Sequence, residues 1–171
     1  MNYLKLALSV ALLFILSGCK QQIADYIVLD KGEIRNVTYQ EYIGGYEEYE
    51  YIEDIPLSSE EILELFDSMD WSDEAFLYFP IAPLSILQIW EEGEERFIVE
   101  ITNDSSAYIY HQKYASRQEC KDIISEMFER DALDAGFLSD FYKVPVRTKT
   151  LDDVMKKENS ANNKHPRKRG N

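Results

Sequence analysis

Residues 75–111 read AFLYFPIAPLSILQIWEEGEERFIVEITNDSSAYIYH, and this stretch decides the fold. It holds four strand-like runs: Ala75 to Phe79, Ser85 to Trp90, Arg96 to Ile101 and Ala107 to His111. Each is rich in the aromatic and β-branched side chains that suit a pleated, half-buried surface. Gly93, within Glu91 to Glu95, and the polar segment Asn103 to Ser106 supply the turns joining the last three. Short strands joined by tight loops predict a four-strand antiparallel meander. Pro80 and Pro83 break the first join. A proline donates no ladder hydrogen bond, so these two are expected at a sheet edge.

Outward from this core lie two helix signatures. Ser58 with Glu61 three residues on forms a capping box, after which Ile62, Leu63, Phe66 and Met69 recur on one face. Ser116 with Glu119 repeats the device, followed by Cys120, Ile123, Ile124, Met127 and Phe128. Cys120 falls on that apolar stripe, where a reduced thiol behaves as a small apolar residue. Upstream, Glu33 to Tyr42 and Tyr46 to Ile55 flank the pair Gly44-Gly45 and read as a hairpin. Tyr39, Tyr42, Tyr46 and Tyr49 also fit helical spacing, but paired glycines inside a helix cost about 2 kcal/mol. Asp25 to Leu29 reads as a short first strand, and Ala132 to Tyr142 as a short helix or loop over the core. The expected fold class is therefore α+β: an antiparallel sheet, hairpin plus meander, packed by two main helices.

The globular part is read as one domain over residues 25–150, with residues 151–171 a disordered basic tail. Residues 156–171 hold six basic residues and one acidic, whereas residues 19–155 hold 11 basic and 31 acidic. Between Asn36 and Glu95 there are 17 carboxylates and no Lys, Arg or His. A stretch of one sign steers cationic partners toward it and disfavours nucleic acid, whose phosphates need basic contact residues. The cluster from Lys164 to Arg169 is read as a solvated end.

Chemistry is sparse. The two histidines, His111 and His165, have no metal-ligand spacing, and the two cysteines, Cys19 and Cys120, make no thiolate zinc site. No glycine-rich phosphate loop or nucleophile elbow occurs. Asp67, Asp70, Asp73 and Glu74 lack the frame of a calcium loop. Neither a catalytic residue, a metal nor a cofactor is expected, and the chain is read as a binding protein rather than an enzyme.

Its amino-terminal end says where that binding takes place. Behind Lys5, the apolar run Leu6 to Leu16 is too short to cross a bilayer and reads as a secretory signal over residues 1–18. Leu16-Ser17-Gly18-Cys19 resembles the lipobox of bacterial lipoproteins. The resemblance implies cleavage before Cys19, a diacylglycerol on its thiol and usually an acylated new amino terminus, which together anchor firmly. Residues 19–24 form a short tether that holds the folded part near the bilayer. Lys20, where the enteric sorting rule places Asp for inner-membrane retention, implies an outer-membrane location in a two-membrane host.

The candidate partner-binding residues lie on the hairpin: Tyr42, Tyr46, Glu47, Glu48, Tyr49, Glu50, Tyr51, Glu53 and Asp54. Tyrosine offers large contact area at little side-chain entropy cost, and carboxylates beside it select a basic partner. The segment SSEEILELFDSMD (58–70), with FLYF (76–79), ILQIW (86–90), FIVEI (97–101) and a capped final helix, resembles small immunity proteins found beside bacterial polymorphic toxins. That resemblance covers Leu57 to Arg130 and implies blockade of a toxin by an acidic surface. No individual residue is carried over from it. The expectation is an envelope lipoprotein that binds a basic toxin or hydrolase. The competing reading is a structural or assembly lipoprotein of the outer membrane.

Overall fold

The computed structural model describes residues 27–43, 48–71, 74–93, 96–103, 109–145 and 149–164. It is an α+β fold with antiparallel sheets. The strands are β1 (Ile27–Val28), β2 (Ile34–Ile43), β3 (Glu48–Ser58), β4 (Phe76–Ala82), β5 (Ser85–Glu91), β6 (Arg96–Asn103), β7 (Ile109–Ser116), β8 (Ala132–Leu133) and β9 (Tyr142–Pro145). Helix α1 is Ser59–Ser68, α2 is Arg117–Glu129 and α3 is Leu151–Lys164. The expected hairpin and meander join one seven-stranded sheet in the order β3-β2-β4-β5-β6-β7-β9. Of the expected first strand, Asp25 and Tyr26 lie outside the described residues, and Ile27–Val28 pairs with β8 in a separate two-stranded sheet.

Alternation along the strands divides the large sheet into two faces. Val37, Leu77, Phe79, Leu87, Ile89, Phe97, Val99, Ile101 and Ala115 point to one face and are all buried. Helices α1 and α2 cover it with Ile62, Phe66, Cys120, Ile123, Ile124 and Met127. Both helices begin where a strand stops. Ser58 ends β3 and caps α1, Ser116 ends β7 and caps α2, and both capping boxes are closed by Glu61 and Glu119. The rings of Phe66, Trp71 and Phe97 meet at centroid distances of 4.9, 5.4 and 5.1 Å, and the Trp71 indole N–H donates to the Phe66 carbonyl. Cys120 is fully buried, and burial pushes its thiol up to about 12. It acts there as an apolar filler.

Three placements differ from the sequence reading. Pro80 lies inside β4, a strand between two neighbours, rather than on an outer strand. Its position is nonetheless a local edge, because β2 pairs with β4 only from Phe76 to Tyr78. The Pro80 carbonyl instead accepts from the Arg35 guanidinium at 3.2 Å. Pro83 stands in the turn between β4 and β5. Next, the region around Ala132 to Tyr142 contributes β8, a single 3-10 turn over Phe137–Asp140, and β9, which pairs with β7.

The third correction concerns the tail. Residues from Leu151 to Lys164 form α3, where disorder was expected. Thr150 and Asp153 cap it reciprocally, side chain to backbone N–H in both directions. Leu151 and Val154 are buried against Ile98 and Val144, with Trp90, Tyr114, Tyr142 and Met155 around them. The Tyr114 hydroxyl donates to Asp152 at 2.9 Å. Three apolar residues at helical spacing suffice, because the sheet already presents an apolar patch to receive them. Residues 165–171 lie outside the described part.

Candidate interaction surface

Helix α3 covers the second sheet face only over β5, β6, β7 and β9. Over β2, β3 and β4 that face carries Tyr42, Tyr49, Tyr51, Phe76 and Tyr78. Register puts them together: Tyr42 opposes Tyr49, Gln40 opposes Tyr51, and Gln40 on its other side opposes Phe76. Tyr42 and Tyr49 meet edge-to-face at 5.7 Å, Tyr51 and Phe76 at 6.4 Å, and Phe76 stacks with Tyr78 at 6.0 Å. Tyr51 is 51 % exposed and Tyr49 39 %. Large rings left in water at this density mark an interaction surface more often than isolated exposed residues do. Partial desolvation, the neighbouring Glu53 and a hydrogen bond with Tyr78 raise the Tyr51 phenol above its ordinary value.

The hairpin residues singled out in the sequence are not all on this surface. Tyr42, Tyr49 and Tyr51 are. Glu50 is on the opposite, helix-side face, paired across the strands with Glu41. Burial, then Glu41 and Glu50, raise the phenol of Tyr39 on that same side. Period-two alternation therefore sends Tyr42, Tyr49 and Tyr51 to one face and Tyr39, Glu41 and Glu50 to the other. Glu53 and Asp54 form a β-bulge opposite Thr38, where Asp54 takes a positive φ of 57° and its N–H donates to the Thr38 hydroxyl. Gly44, Gly45, Tyr46 and Glu47 lie outside the described residues, and for Glu48 only the strand pairing with Ile43 is described. Cys19 also lies outside them.

Phe76 and Tyr78 were legible in the sequence only as strand residues. The signal that singles them out is their alternation with Leu77 and Phe79, which sends one pair to each face. Deeper on the same face, Glu100 is 6 % exposed and accepts a hydrogen bond from the Gln112 amide. Burial raises its carboxyl above the ordinary range, and the Gln112 bond opposes that shift.

Elsewhere, a notch of about 230 Å³ between α2 and the 3-10 turn is lined by Glu119, Asp122, Glu126 and Asp140. Two of the chain's own cations already sit on its rings, Lys113 over Phe141 and Arg130 over Phe137. Among the described residues no cluster of His, Cys, Asp and Glu could hold a metal ion, and no helix is long and apolar enough to cross a membrane.

The fold and surface thus define an α+β protein with one helix-covered sheet face and one half-open aromatic face. Comparison with protein-family models, with curated proteins and with solved structures finds no match.

Proposed function

We propose that the chain is an envelope lipoprotein that binds a basic protein, in the manner of an immunity or inhibitor protein, through the open half of the second sheet face. The observation that carries this reading is the ring platform of Tyr42, Tyr49, Tyr51, Phe76 and Tyr78. All five rings fall within the stretch that has 17 carboxylates and no basic residue. Flat aromatic area supplies contact energy, and one-signed charge around it supplies partner choice and capture rate. The resemblance of Leu16 to Cys19 to a lipobox supports attachment to a membrane through lipid on Cys19.

The test uses the detergent-solubilised full-length protein as bait for secreted and envelope proteins of competing bacteria. A basic partner is expected, released as salt is raised from about 50 to 500 mM because the Debye length then falls severalfold. Tyr51→Ala is expected to weaken its capture by about tenfold or more, a loss of about 1.4 kcal/mol or more in binding, while stability changes by about 0.5 kcal/mol or less. Capture that ignores both salt and Tyr51→Ala overturns the reading. Attachment is tested separately: Cys19→Ala is expected to leave the membrane fraction and to take up no labelled palmitate.

A further inference from the structure

We infer that the first half of β3, from Glu48 to Glu53, is the docking edge, and that the occupant is an extended segment of the basic partner added to the sheet as an eighth strand. This rests on the proposed binding of a basic protein and assigns the mode of that binding.

The sheet has two ends, and they are built differently. At one end β9 is four residues long, closes on Pro145 and has α3 packed beside it. Such an end is short and covered, which blunts it against strand addition. At the other end β3 is eleven residues long and, among the described residues, is paired as a strand with β2 alone. Beyond Glu53 the edge is spoiled. The bulge at Asp54 twists it, and Pro56 lacks the N–H that a ladder needs. Ahead of the bulge the register with β2 is unbroken from Ile43↔Glu48 to Tyr39↔Ile52.

Charge selects the occupant. Glu41 and Glu50 stand directly opposite each other across β2 and β3. Like charges so placed are destabilising. The surrounding stretch offers no Lys, Arg or His to relieve them. A second copy of the chain pairing edge to edge would bring Glu50 and Glu53 against their own kind. An incoming strand with basic side chains on the helix-side face relieves the Glu41–Glu50 pair. Its alternate side chains, if apolar or aromatic, then lie against Tyr49 and Tyr51 on the other face. Main-chain hydrogen bonds give such an added strand affinity, and the alternating side chains give it specificity.

The experiment uses full-length protein in detergent micelles and a synthetic peptide of alternating lysine and tyrosine. Two further peptides carry backbone N-methyl groups on alternate residues, one set along each edge of the extended chain. Only one edge of an added strand faces β3. One N-methylated peptide is therefore expected to bind at least about tenfold more weakly, and the other within about twofold of the parent. Amide exchange within residues 48–53 is expected to slow on binding the parent, and Glu50→Lys to weaken it by at least about tenfold. Equal binding of the two N-methylated peptides, or no binding of the parent, overturns strand addition. Capture of a basic partner through Tyr51, as in the preceding test, survives that outcome. The two readings therefore fail separately.

Discussion

The two faces of the seven-stranded sheet come from the same alternating strands but reach different ends. On the helix-side face Leu77, Phe79, Leu87, Ile89, Phe97, Val99 and Ile101 fill the central inward positions of β4, β5 and β6 and are all fully buried. On the second face the corresponding residues are Phe76, Tyr78, Gln88, Trp90, Ile98 and Glu100, a mixture that no single layer of helix could cover without stranding polar groups. The chain closes half of that face with α3 and leaves the rings of the other half open, Tyr49 and Tyr51 exposed and Tyr42, Phe76 and Tyr78 half-buried. Stability is therefore concentrated on one side of the sheet, and the rings proposed to bind a partner lie on the other.

The largest break in this contrast is expected from Phe97→Ala. Phe97 is fully buried and touches Phe66 and Trp71, so truncation should cost about 3–5 kcal/mol, read by urea denaturation. Arg35 comes next. It is buried on the helix side, where its guanidinium donates to the carbonyls of Asp30, Pro80 and Met127 and lies 5.0 Å over the Phe128 ring. Burial lowers its pKa, and nearby Asp30 opposes that. Arg35→Met should cost about 2–4 kcal/mol by orphaning three carbonyls, with faster amide exchange at the end of α2.

A smaller effect sharpens the contrast on the second face. Val154→Asp places a charge against Ile98 and Val144, and should cost about 1–2 kcal/mol while shifting Trp90 fluorescence to the red. The open half of the face should keep its partner affinity.

The last prediction concerns Glu100, whose carboxyl is raised by burial. The folded chain then holds this proton more tightly than the unfolded chain, so its contribution is fully present below the ordinary value of 4.5 and is lost as pH rises through the raised one. Glu100→Gln keeps an acceptor for Gln112 and removes that loss. Its Tm should match the parent near pH 4 and exceed it at pH 7. An equal Tm difference at both values would contradict the assignment.

How much of this could be read from sequence follows the range of each interaction. The two capping boxes and the stripes behind them were legible because their partners lie three or four residues apart. The meander was legible because each strand pairs with the next. Strand β9 was not, since Tyr142–Pro145 becomes a strand only by meeting β7 some thirty residues upstream. Helix α3 had a local sign, Thr150 with Asp153, but its apolar content was too low to stand out without the patch that receives it. For the surface, the phenols of the hairpin were recognised in sequence, whereas their partners Phe76 and Tyr78 looked like ordinary core strand.

By itself the sequence determined the α+β class, the caps, the buried stripes and the acidic bias of the first half. These are local patterns or sums over residues, and they need no neighbour in space. Packing in three dimensions settled that Tyr42, Tyr49 and Tyr51 share one face of the hairpin while Glu41 and Glu50 take the other, that Arg35 ties three distant carbonyls together, and that α3 covers half a face. Those outcomes depend on strand register and on which surfaces remain to be buried once the sheet has formed. No window of sequence holds both partners of such contacts.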